Sequence, residues 1–186
     1  MKTRFETYAL LYKAHIDELY SYGLSLGNTE DACMDAIHDV FCTLIAKDID
    51  TERMDNPKFY LFRSMKNRLI DMQKHNRKIS YNDMGAHTFR ADIDAADNMT
   101  ISAEERNILI SRVKKLMDRL TSTQREAIYL RFMQEMEYDQ IAILLKITPE
   151  SVRKLVHRGV KKMRQHSTDL MGFLIIMYLL KNATCF

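Results

Sequence analysis

Glycine and proline are scarce, at five and two residues in a chain of 186. So few chain breakers exclude the turn-rich repeats of a β-sandwich and predict long, uninterrupted helices. Cysteine is scarce as well. Cys33, Cys42 and Cys185 are odd in number, form no CxxC pair and have no histidine at metal-ligand spacing, which argues against a disulfide scaffold and against a structural zinc site. Long apolar runs are missing. The longest, Leu170 to Leu180 in the tail 167–186, falls short of the roughly 20 residues a spanning helix needs. It predicts a helix that packs onto the domains or a partner, with membrane-surface attachment the lesser alternative. The N-terminus, "MKTRFETYALLYKAHIDELY", starts basic but has neither an unbroken apolar region nor a small-residue cleavage site. Together these features predict a reduced, cytoplasmic setting. No nucleophile, metal cluster or phosphate-binding loop emerges, so the sequence offers no catalytic residue, no metal ligand and no cofactor.

What is present is core and charge. With 46% hydrophobic and 28% charged residues, the chain can bury one large or two small cores, and the expected class is all-α. The net charge of +3 decides nothing, but its distribution does. Between Glu30 and Glu52 seven acids face Lys47 alone, a net −6; between Lys58 and Lys78 seven bases face only Asp71, a net +6. Between Lys146 and His166 seven bases face Glu150, again +6. Two basic blocks and one acidic block suggest two surfaces for polyanions and a third for something else, although each alone could be an ordinary solvated face.

Periodicity divides the chain. Residues 5–26 carry enough apolar side chains for one or two helices. Asn28 or Thr29 can cap a helix over about 30–47, whose apolar face is Cys33, Ala36, Ile37, Val40, Phe41 and Leu44. Its opposite stripe, with Asp35, His38, Asp39 and Cys42, could receive a partner. Pro57 breaks the pattern before a helix over about 58–77 that buries Leu61, Phe62, Met65, Leu69 and Met72. Residues 79–103 lose the period and read as a flexible acidic linker, with Asp83, Asp92, Asp94 and Asp97 against Arg90. The predicted domains are therefore two small helical bundles, 1–78 and 104–166.

The second bundle ends in "YDQIAILLKITPESVRKLVHRGVKKM". A short helix ending near Leu145 is followed by a tight turn at Lys146 and Ile147, then by Thr148 as N-cap and Pro149 at the first helical position. This is helix-turn-helix spacing, with Ala142 at the crossing and Ile147 and Val152 plugging the angle. Lys146 occupies a turn position usually filled by glycine, where a left-handed backbone costs another residue roughly 1–2 kcal/mol. The second helix would expose Glu150, Ser151, Arg153, Lys154, His157, Arg158 and Lys161, side chains able to reach base edges and phosphates in a major groove.

The run from Leu120 to Arg164 resembles region 4 of the extracytoplasmic-function (ECF) sigma factors of the sigma-70 family. "DAIHDVFCTLI" (35–45) resembles their region 2.2, and "KFYLFRSMKNRLIDMQKHNRK" (58–78) their regions 2.3 and 2.4. Ile45 departs from a common Trp, Ile37-His38 from a frequent Val-Gln, and Lys146 from Gly. The resemblance implies that Asp35, His38 and Asp39 face the coiled coil of the largest subunit of core RNA polymerase. It implies that the loop over about 49–57 shapes a pocket for an unstacked base of the minus-10 element. Phe59 or Tyr60 would be its platform, Asn67 a polar reader, and Arg63, Lys66, Arg68 and Lys74 would follow the backbone. It places the helix from Pro149 in the minus-35 element of promoter DNA, with Ser151, Arg153, Lys154, His157, Arg158 and Lys161 as contacts. It also implies an anti-sigma factor, membrane-tethered by family analogy, as antagonist. The alternatives are a LuxR-like helix-turn-helix regulator, which would not need the 58–78 block or the acidic stripe, and a helical adaptor whose basic faces bind acidic protein.

Overall fold

The computed structural model describes residues 4–79 and 103–165, and every element among them is helical. The predicted linker, apart from its first and last residues, and the tail from 167 lie outside the described residues. The chain divides into two units, residues 1–87 and 88–186.

In the first unit α1 spans Arg4–Ser25, a single helix rather than two; α2 spans Glu30–Ala46, a 3-10 turn Thr51–Arg53, and α3 Pro57–Ile79. Thr29 is the cap of α2, its hydroxyl accepting from the Ala32 N–H at 3.3 Å. Asn28 does different work: its amide donates to the Gly23 carbonyl at 3.0 Å and accepts from Gln73 at 2.8 Å, tying the α1–α2 turn to α3. The Asn56 side chain accepts from the Phe59 N–H at 2.8 Å, so α3 starts on Pro57 itself, where the missing donor costs nothing. All six predicted apolar residues of α2 are buried. Leu61, Phe62, Met65 and Leu69 of α3 join them, and Met72 is only partly buried. Gly23 lets α1 and α2 meet closely, because a Cβ there would lie 2.6 Å from Cys33 Sγ.

The second unit contains α4 (Ala103–Asp118), α5 (Ser122–Ile128), a π-helical turn (Tyr129–Met133), α6 (Tyr138–Leu145) and α7 (Pro149–Gln165). Thr121 and Gln124 form a capping box that starts α5. Arg125, which charge alone would place outside, is buried; its guanidinium donates to the carbonyls of Met117 at 3.1 Å and Leu120 at 3.4 Å, closing the end of α4. Gly159 sits where α7 crosses α5, and a Cβ there would lie 2.6 Å from Ile128 Cδ1.

The α6–α7 junction is the expected helix-turn-helix. Lys146 adopts the left-handed conformation (φ 55°, ψ 43°). Its N–H donates to the Ile143 carbonyl at 3.4 Å and the Ile147 N–H to that of Ala142 at 3.1 Å, a Schellman ending. Thr148 caps α7, accepting from the Ser151 N–H at 3.2 Å. Val152 is fully buried as a plug, whereas Ile147 keeps 36% of its surface exposed.

Candidate polymerase and nucleic-acid interfaces

On α2 the residues with a three- to four-residue spacing form the stripe the sequence predicts. Asp35 and His38 are exposed, and His38 Nε2 lies 3.4 Å from Cys42 Sγ. Exposed Met34 and Ile45 add apolar surface to the same helix. Asp39 differs from its neighbours. Arg68 of α3 donates to its Oδ2 through Nε at 2.6 Å, with Nη2 at 2.5 Å. The pair bridges a groove of about 730 Å³ between α2 and α3, which Thr43, Tyr60, Ser64 and Asn67 also line. A carboxylate expected to face polymerase and a guanidinium expected to face DNA thus hold each other.

At about 100° per residue, Tyr60, Arg63, Asn67 and Lys74 share one side of α3, opposite its core side, while Phe59 and Lys66 flank it on one edge and Arg68 on the other. Phe59, Tyr60 and Lys66 are partly buried; Arg63, Asn67, Arg68 and Lys74 are exposed. Lys74 lies 3.6 Å from Asp71 on its own helix. Lys58, counted in the basic block, is an internal strut. Its ammonium sits 2.8 Å from Glu18 and 5.9 Å from the Phe62 ring centroid. Burial pushes the Glu18 carboxyl up, but hydrogen bonds from His15 and Lys58, with their charges, outweigh it and leave the pKa below the ordinary 4.5.

The loop before α3 has its own hollow, of about 250 Å³, lined by Arg4, Thr7 and Tyr8 of α1 and by residues Ile49 to Glu52. Tyr8 donates to the Ile49 carbonyl at 2.8 Å, Thr7 to Glu52 at 3.0 Å, and Arg4 pairs with Asp48. The Thr51 hydroxyl is buried without a hydrogen-bond partner among the described residues. Tyr60 and Asn67 line the α2–α3 groove instead, so the loop and the residues expected to read a base with it border two separate hollows. The clamp from α1 has no local sequence signal, because its partners lie more than forty residues apart.

On α7, Arg153, Lys154, His157, Arg158 and Lys161 are all exposed, and Ser151 is partly buried with its hydroxyl 2.8 Å from that of Thr148. Lys154 pairs with Glu150 at 2.6 Å, one turn back. Lys162 donates to the Arg119 carbonyl, which ties it to the body of the unit. Arg153 lies over the Tyr138 ring, 5.3 Å from its centroid, and Arg131 over the same ring at 4.8 Å. Among the described residues no group of His, Cys, Asp and Glu could hold a metal ion, and no helix is long and apolar enough to cross a membrane.

Residues 11–79 match Sigma-70 region 2, and residues 110–163 match Sigma-70, region 4. The chain is an ECF sigma factor of the sigma-70 family. It is 24% identical over 164 residues to the ECF RNA polymerase sigma factor SigX of Bacillus subtilis (strain 168), covering 87% of this chain and 84% of that one. Its fold is similar to that of the sigma factor RpoE of Bartonella quintana, solved in complex with the anti-sigma factor NepR. That likeness has a TM-score of 0.61 at 20% identity and covers 86% of this chain and 96% of the other. The sigma factor therefore directs core RNA polymerase to promoters. A LuxR-like regulator is set aside, since it leaves the region 2 match over 11–79 without a purpose.

Proposed function

We propose that the sigma factor grips a promoter at two places and core polymerase at a third. The carrying observation is the pair of basic helices α3 and α7. They lie in different units, each starts at a capped proline, and each presents cations away from its core. Asp35, His38 and Asp39, with exposed Met34 and Ile45, receive the polymerase. The face of α3 with Tyr60, Arg63, Asn67 and Lys74, flanked by Phe59, Lys66 and Arg68, holds the opened minus-10 strand. Cations there meet phosphates and aromatic rings meet bases. Ser151, Arg153, Lys154, His157, Arg158 and Lys161 enter the major groove of the minus-35 element.

The chain works in the cytoplasm and supplies binding surfaces, while the polymerase supplies the chemistry. The Bartonella quintana sigma factor was solved with an anti-sigma factor, which supports an antagonist of that kind here, covering both DNA-binding units and tethered to the membrane.

Run-off transcription with core polymerase is the test. The parent yields promoter-specific transcript with no other specificity factor present. Arg153→Ala impairs use of the upstream element while leaving polymerase binding intact, and Asp35→Ala does the reverse. A parent that bound core polymerase yet gave only non-specific transcript would sink the reading.

A further inference from the structure

Arg153 is exposed on α7, yet it does not project freely. Its guanidinium lies 5.3 Å from the centroid of Tyr138, the first residue of α6. The same ring carries Arg131 at 4.8 Å. Arg131 comes from the π-helical turn and is itself tied down: Nη1 donates to the Met136 carbonyl at 2.8 Å and to Glu137 at 3.3 Å. Both acceptors belong to the short segment leading into α6. Glu137 is held in turn, its N–H donating to the Gln140 side chain at 3.0 Å. Tyr138 is therefore fixed from the π-helical side, and Arg153 rests on a ring that is already placed.

The chemistry of the contact matters. A carboxylate partner would fix Arg153 but would occupy its donors and offset its charge, as Glu150 does for Lys154. An aromatic face fixes the guanidinium plane through the ring quadrupole and leaves all five N–H donors unspent. An arginine meant for two-pronged recognition of a guanine edge or a phosphate needs a set plane, open donors and full charge. Among the described residues Arg153 has no ion-pair partner, and the ring is its one aromatic contact.

We propose that Tyr138 is a positioning residue for minus-35 recognition, holding Arg153 ready for DNA, with Arg131 as the strut that holds Tyr138. This rests on α7 being the helix that enters DNA. Without the ring, Arg153 must be ordered at the moment of binding, and the loss of the contact predicts a fall in affinity of about three- to tenfold.

The test uses holoenzyme reconstituted with the full chain on a promoter found by footprinting. Affinity is measured against single-base changes in the upstream element and against salt, with thermal unfolding of each variant alongside. Tyr138→Phe, which keeps the ring, binds like the parent. Tyr138→Leu binds about three- to tenfold more weakly, loses discrimination at the position Arg153 reads and keeps the parental salt dependence because the cation remains. In an Arg153→Ala background Tyr138→Leu adds nothing further. Arg131→Gln, which leaves the ring but removes its strut, shifts binding the same way by a smaller factor, and decides the matter if Tyr138→Leu unfolds. The proposal is overturned if these ring and strut variants bind like the parent while Arg153→Ala is impaired. It is overturned equally if the Tyr138 and Arg153 effects multiply independently. An Arg153→Ala holoenzyme indistinguishable from the parent would remove the underlying reading of α7 together with it.

Discussion

The basic stretch on α3 and the one that runs from the Lys146 turn through α7 have the same net charge, +6, and put it to different uses. On α3 much of the charge is committed inside its own unit. Lys58 braces Glu18, Arg68 holds Asp39, and Lys74 leans toward Asp71. On α7 the long cations stand outward, and among the described residues Arg153, Arg158 and Lys161 have no carboxylate partner. A count of bases along a sequence thus measures how polar a helix is, not how much charge it can offer a phosphate. The difference suits the tasks proposed for the two helices. Docking in a duplex groove draws on unspent cations that release counterions, whereas holding an opened strand relies more on rings and shape.

The largest effect that would sharpen this contrast belongs to α7. Replacing Arg158 and Lys161 together by alanine should weaken promoter binding by roughly tenfold or more and lower the steepness of its salt dependence by about two. Affinity titrations of holoenzyme at several salt concentrations read both quantities. An unchanged salt slope would place the open charge elsewhere.

The matching experiment on α3 concerns stability. Glu18→Gln removes the charged partner of Lys58 and should cost about 2 kcal/mol at neutral pH. Because the Glu18 pKa is lowered in the folded chain, its stabilisation is fully present above the ordinary 4.5 and fades as pH falls through the lowered value. Urea unfolding of parent and variant across that acid range should therefore show two curves that converge at low pH. Curves that stay parallel would mean that Lys58 is not spent on Glu18.

A smaller effect, of opposite sign, is expected at the turn before α7. Lys146 stands in left-handed backbone without glycine's freedom, so Lys146→Gly should stabilise the second unit by about 1 kcal/mol, seen as a higher urea midpoint. If the midpoint fell instead, the lysine side chain would be contributing more than its backbone costs.

Much of the helical layout was legible because its signals are local. Thr29, the Thr148–Pro149 pair and the apolar periods of α2 and α3 each announce themselves within a few residues. The contacts that govern the sites are not local. Asp39 and Arg68 are 29 positions apart, and Glu18 and Lys58 are 40 apart, so no periodicity links either pair. Arg125 was hidden by its type, since arginine is rarely buried and here its buried guanidinium closes the end of α4. Ile147 and Val152 read alike as apolar plugs, yet Val152 is fully covered and Ile147 only partly, a difference their shared apolar character does not carry. Arg153 was legible as a candidate contact, but the ring beneath it was not, for Tyr138 belongs to another helix.

Cys33 lies against Gly23 at the crossing of α1 and α2, its thiol pushed up to about 11 by burial and by the nearby Glu30. At neutral pH it is neither ionised nor reachable, while Cys42 stands exposed. The first bundle therefore carries its own clock. An alkylating reagent marks Cys42 at once and reaches Cys33 only in the moments when the helices part, so the lag between the two timestamps how often the bundle opens.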